Sequence, residues 1–170
     1  LADRVMRDDS FVTFRDTKEV YHYDPSLGVW RPDGETVIHA AVQNILGEFS
    51  KKHYVDETLS AVQGATYRHR EDFVADPRYV NLANGVLDLE NLTLLERDAK
   101  FLFLQRLPIS YDPDATCPRI LKFLEEVVPD EVDRQALVEQ LSTCLDRDQR
   151  YQSAFMLWGQ GENGRSTWLN

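Results

Sequence analysis

Residues 153–170 read Ser153-Ala-Phe-Met-Leu-Trp-Gly-Gln-Gly-Glu-Asn-Gly-Arg-Ser-Thr-Trp-Leu-Asn170, an order that few local structures can satisfy. Ala154 to Trp158 is a short apolar run of the kind that forms a buried strand. Gly159 to Gly164 is polar and rich in glycine. Ser166 and Thr167 can open a helix. Strand, glycine-rich turn and helix in succession spell a phosphate loop, Gly-x-x-x-x-Gly-Lys-Ser, with Arg165 in the lysine position. Gly159, Gly161 and Gly164, with Asn163 among them, let backbone N–H groups converge on an anion. The helix start adds its partial positive charge. Ser166 would place its hydroxyl on the magnesium ion that bridges nucleotide phosphates. Arg165 keeps a cation there, but its planar fork is wider than an ammonium. Such a loop can bind phosphate and still hydrolyse ATP poorly. The plainer reading is a turn between a strand and a helix, since glycine and asparagine are common in loops.

A nucleotide fold needs further parallel strands and an acidic residue for magnesium. Only Trp168, Leu169 and Asn170 follow Thr167. The sequence therefore reads as part of a longer chain, inactive as an ATPase by itself, with its natural start upstream of Leu1.

The 170 residues, 42% of them hydrophobic, suit one domain of moderate size with the start of a second. No apolar run approaches the ~18 residues of a membrane span, and the charged first residues do not form a signal peptide. The expected location is cytoplasmic. Cys117 and Cys144 make neither a disulfide framework nor a metal site, and Cys144 falls in a helical pattern as a small buried residue. His22, His39, His53 and His69 lack ligand spacing. A net charge of −10 argues against a sequence-independent DNA clamp. Arginine outnumbers lysine and aspartate outnumbers glutamate, a composition that also suits a high-salt cytoplasm.

Phe11–Phe14, Val20–Tyr23 and Val29–Arg31, separated by turn-forming stretches, predict a small antiparallel meander over residues 11–34. Its aromatics, Phe11, Phe14, Tyr21, Tyr23 and Trp30, are core candidates, or else a face on which bases stack. Val37, Ala41, Ile45 and Phe49 predict a helix over 37–52, capped by Thr36 and ending in Lys51-Lys52-His53. A second helix begins near Asp56, and Gly64 weakens or ends it. Lys51, Lys52, Arg68 and Arg70 are the candidate phosphate contacts for nucleic acid. Asn84-Gly85 marks a tight turn, with hairpin strands at Val86–Leu89 and Thr93–Leu95. Asp88 and Glu90 read as turn residues rather than a carboxylate pair. A boundary falls near 105–117. Beyond it lie a helix started by Pro118 with the face Ile120, Leu121, Phe123, Leu124 and Val127, and a helix over 131–145 with Val132, Ala136, Leu137, Leu141 and Leu145.

The fold class expected is α+β: a small antiparallel meander and hairpin packed with helices, then a helical segment leading into a truncated P-loop ATPase strand. The parts are 1–116, 117–150 and 151–170.

With Asn84-Gly-Val-Leu-Asp-Leu89, Pro108-Ile-Ser-Tyr-Asp-Pro-Asp-Ala-Thr-Cys-Pro118, Lys122-Phe-Leu124 and the Gly-x-Gly-x-Asn-Gly-x-Ser-Thr form of residues 159–167, the chain resembles a family. It is that of the phage and plasmid primase–helicases of the P4 and poxvirus D5 type, whose ATPase is a superfamily 3 member of the AAA+ class. The resemblance implies an accessory region ahead of an ATP- and magnesium-dependent helicase motor. It implies that the motor forms a ring, acts on DNA, and often has a primase domain upstream. Gly161, Asn163, Gly164, Arg165 and Ser166 or Thr167 would then meet the nucleotide phosphates and magnesium. The family has lysine where this chain has Arg165. The alternative is an oligomerisation or protein-interaction domain with no direct nucleic-acid role.

Overall fold

The short runs Phe11–Phe14 (β1), Val20–Asp24 (β2) and Val29–Arg31 (β3) form the expected antiparallel meander, with Phe11 opposite His22 and Tyr23 opposite Trp30. The computed structural model describes residues 1–143, 154–158 and 164–169. The chain divides into two compact units, Leu1–Tyr111 and Asp112–Asn170. The α+β character expected from the sequence is present in the helices and small sheets.

In the first unit a two-residue strand, Tyr67–Arg68 (β4), pairs parallel with β1 and completes a sheet of order β3-β2-β1-β4. Alternation along β1 divides its side chains between two layers. Phe11 packs with Val5, Val20, Ile38, Val42 and Val62, the layer supplied by Ala2–Asp8 (α1), Gly34–Leu46 (α2) and Lys52–Thr66 (α3). Val12 and Phe14 pack with Trp30 and Phe73 on the opposite layer. Phe73 meets both Phe14 and Trp30 edge to face, at centroid separations of 5.2 and 5.6 Å. Phe11, Phe14 and Trp30 are thus buried core residues, with Tyr21 and Tyr23 packed beside them.

Three local expectations need correction. The helix expected over 37–52, α2, starts at Gly34 with Asp33 as its N-cap, so Thr36 lies inside it. It stops at Leu46, because Gly47 turns the chain at φ +53°. Phe49 then falls in a short 3-10 turn and is 78% exposed rather than on the buried face. The next helix, α3, runs through Gly64 to Thr66, held by Thr58 and Val62 in the core. A mid-helix glycine costs only ~1 kcal/mol against alanine, less than such burial returns.

Tyr79–Leu82 (β5), Gly85–Asp88 (β6) and Thr93–Leu95 (β7) form the second sheet, antiparallel in the order β5-β6-β7. Asn84 closes the turn before β6: its side chain donates to the Tyr111 carbonyl and accepts from the Tyr111 N–H, at 2.8 and 3.0 Å. The loop between β2 and β3 joins the two sheets. Asn81 Nδ2 donates to the Leu27 and Gly28 carbonyls at 3.1 and 3.0 Å. Arg97 donates to the Leu82 and Ala83 carbonyls. Gly28 permits this crossing, since a Cβ there would sit 2.5 Å from Arg97 Cδ and φ is +67°.

The second unit contains Pro118–Val127 (α4), with Pro118 in the first turn, and Glu131–Thr143 (α5). Asp130 caps α5, accepting from the N–H groups of Val132 and Asp133. Leu124 is buried, while Ile120, Leu121, Val132 and Leu141 of the expected stripes are exposed. Cys144 and Leu145 lie outside the described residues. Among the described residues no helix is long and apolar enough to cross a membrane.

Candidate functional site

Gly164 is the described start of the loop-to-helix junction. It adopts φ +77°, and Arg165–Leu169 (α6) begins directly after it, with the Trp168 N–H bonded to the Gly164 carbonyl at 2.9 Å. The glycine has two separate reasons to be there. Left-handed backbone costs a residue with a Cβ ~1–2 kcal/mol. A Cβ at this point would also lie 2.9 Å from the Phe123 ring and 3.0 Å from Val127 Cγ1. One face of α4 therefore backs Gly164. Ser166 and Thr167 are exposed on the first turn of α6. Gly159, Gly161 and Asn163 lie outside the described residues, as does the Arg165 side chain.

The described junction is a left-handed glycine that a residue with a Cβ could not replace without movement, followed by a helix start bearing two hydroxyls. Among the described residues no group of three or more His, Cys, Asp or Glu side chains is arranged for a metal. Ser166 and Thr167 carry the hydroxyls at the described junction.

Ala154–Trp158, where the strand is expected, are described without a strand assignment, and the segments on either side of them lie outside the described residues. Phe155, Met156 and Trp158 are exposed. Together with α4, α5 and α6 they wall a cleft of about 560 Å³ that reaches Gly164.

Gly164→Val tests the junction. Nucleotide affinity should fall by about tenfold or more, the cost of the left-handed conformation alone, in a titration with a fluorescent ATP analogue. Unchanged affinity would show that the junction is not a phosphate site.

The four candidate nucleic-acid cations are not brought together. Lys51 caps α3 and Lys52 opens it, so both stand at the positive end of a helix dipole rather than at a helix C-terminus. Arg68 lies in β4, beyond the other end of this 15-residue helix, about 20 Å away at ~1.5 Å per residue. Arg70 is engaged: Nε donates to Asp16 at 2.8 Å, Glu19 is 3.8 Å away, and the guanidinium lies over the Phe14 ring. The Arg70 hydrogen bond holds the Asp16 carboxyl below its ordinary pKa.

The densest polar cluster went unread in the sequence. Arg78 donates Nε to Asp88 Oδ1 at 2.8 Å and Nη2 to Oδ2 at 2.5 Å, while Nη1 meets Glu90 at 2.6 Å. Asp88 also accepts from Asn91 and from the Glu90 N–H. The Arg78 hydrogen bonds, opposed by burial and helped by those from Asn91 and Glu90, hold the Asp88 carboxyl well below the usual carboxylate range. Asp88 is 4% exposed. With every oxygen engaged it ties β5 to β6 and has no lone pair directed at a substrate. The signal available was the buried position of Asp88 on a strand that otherwise reads apolar.

Residues 1–129 match a family model described as D5 N terminal like. No curated protein matches the chain.

Proposed function

Since the chain belongs to the D5 N-terminal-like family, we propose that it is the N-terminal accessory part of an ATP-dependent replicative DNA helicase of a virus, plasmid or prophage. One observation carries the reading. The family region, which runs through α4, is followed after α5 by a left-handed glycine and a helix start at the spacing of a phosphate loop. In this proposal the loop from Gly159 to Gly164 cradles the phosphates of ATP, Ser166 or Thr167 meets magnesium, and Arg165 takes the lysine position. ATP supplies the chemical drive when bound. The chain's own contribution is to hold it, and Phe123 and Val127 of α4 lie against Gly164 at the end of that loop. DNA and further copies in a ring are the partners the reading implies.

ATP turnover by the full-length protein tests it, with and without single-stranded DNA, at low and high salt. DNA-stimulated turnover supports the motor. A folded protein with no turnover in any condition defeats the helicase reading. Arg165→Ala should weaken ATP binding, and unchanged affinity would remove Arg165 from the phosphate site.

A second reading, an assembly domain without nucleic-acid contact, is favoured by one feature. Leu92, Leu94 and Leu95 are exposed on and beside the edge strand β7, where unpaired backbone groups can add another strand. A salt titration of DNA binding separates the two, because phosphate contact weakens steeply as salt rises.

A further inference from the structure

Gly47 ends α2 at φ +53°, and the segment after it is unlike the rest of the first unit. Phe49, Lys51, Lys52, His53 and Tyr54 are all exposed. Five of the six phenylalanines in Leu1–Tyr111 are at most 9% exposed, whereas Phe49 is 78% exposed. The Tyr54 ring lies 3.9 Å from that of His53, centroid to centroid, tilted by 44°. Among the described residues no ion pair engages Lys51 or Lys52, while Arg31, Arg70, Arg78 and Lys100 each hold an acid. A single exposed phenylalanine needs no explanation. Three rings and two unpaired ammonium groups within residues 49–54, in a chain of net charge −10, form a local exception to both its packing and its charge.

We propose that residues 49–54 are a contact site for single-stranded nucleic acid. Phe49 and the His53–Tyr54 pair offer faces for bases, and Lys51 and Lys52 meet the phosphates between them. Lys51 and Lys52 act here with their own neighbours, not with Arg68 and Arg70. The site does not use the loop before α6, so it stands or falls apart from the nucleotide reading. Its composition decides the partner. Glu48, Asp56 and Glu57 border the segment and confine its positive surface to the two lysines. Charge alone therefore cannot supply the binding, and the rings must. Every base has a face that can stack on an aromatic side chain, whatever the sequence. In a duplex those faces are covered by the neighbouring base pairs. An acidic peptide would engage the lysines and leave the rings unused.

The test measures binding of the whole chain to fluorescently labelled oligo-dT by anisotropy, beside a duplex of the same length, with polyglutamate as competitor. The single strand should bind more tightly than the duplex. Phe49→Ala should weaken single-strand binding by about fivefold or more, the lower end of what one stacked base contributes. Phe49→Trp keeps a ring face and should retain the affinity. The ring is mostly in solvent, so both variants should fold, and circular dichroism checks that they do. Replacing Lys51 and Lys52 together by glutamine should flatten the dependence of log affinity on log salt by about 1.4, from ~0.7 for each phosphate contact on a single strand. Affinity unchanged in Phe49→Ala overturns the proposal. So does equal binding of the duplex, displacement of the oligonucleotide by polyglutamate at matched charge, or no binding of oligo-dT at all. ATP binding should be the same in every variant, so none of these failures touches the phosphate-loop reading.

Discussion

Trp30→Ala is expected to lower the unfolding free energy by about 3–5 kcal/mol, the range for removing a large aromatic from a packed core. The indole is 5% exposed and lies between the layers of the first unit. It packs against Phe73 and Tyr23. Its Nε1 donates to the Ala99 carbonyl at 3.1 Å, and its backbone N–H donates to Phe103 at 2.7 Å. Removing the ring empties the space between β3 and the 99–103 segment, which is held there by those bonds. Trp30→Phe separates the two contributions. It keeps most of the volume and orphans only the Ala99 carbonyl, a loss of about 1 kcal/mol. Urea unfolding followed by circular dichroism measures both. An alanine cost no larger than the phenylalanine cost would mean that packing at Trp30 does not hold the sheets together.

Asp88→Asn should give the other large effect, through charge rather than volume. It leaves the Arg78 guanidinium without its bidentate partner on the surface of a buried strand pair, and truncating one member of such a pair leaves the other uncompensated. The loss should exceed that of Trp30→Phe. The pH dependence follows from the sign of the shift. The folded-state pKa of Asp88 is depressed, so its contribution is fully present above the unfolded carboxylate value of ~3.9. It is lost as pH falls below that value toward the folded one. Wild type should therefore lose stability between about pH 5 and the acid limit, and Asp88→Asn should flatten that slope. An acid limb identical in the two proteins would assign it to other carboxylates. Asp16, which is exposed and also depressed by Arg70, is the control.

The meander was legible because its strands carry aromatic and β-branched residues and its turns carry Asp, Pro and Gly, all within twenty-odd residues of one another. The Asn84-Gly85 hairpin was legible for the same local reason. What failed was what depends on distant partners or on backbone angles. Lys51 and Lys52 read as the end of one helix because the apolar period runs on past Gly47, and nothing in the pattern shows that this glycine turns left-handed. β4 has two exposed residues, and only its pairing with β1 makes it a strand. Arg78 and Asp88 each look like surface charges until β5 and β6 bring them into one register. At the candidate site, the spacing of Gly164, Ser166 and Thr167 was readable. The support from Phe123 and Val127 was not, because it reaches across some forty residues.

The parallel pairing of β1 with β4 also sets an order in time. The hairpins β1–β2 and β2–β3 can close as soon as residues 11–31 exist, since their partners are near in sequence. The fourth place in the sheet is filled by Tyr67 and Arg68, and its bonds, including Thr13 Oγ1 to Thr66 Oγ1 at 2.9 Å, close a loop of more than fifty residues. Closure of that loop is the slow, entropically costly step. During synthesis from the N-terminus the outer edge of β1 stays open until α2 and α3 have left the ribosome. Any product ending before residue 66 carries that open edge permanently, beside the aromatic ring of Phe14, and is the species from which aggregation of this protein should start.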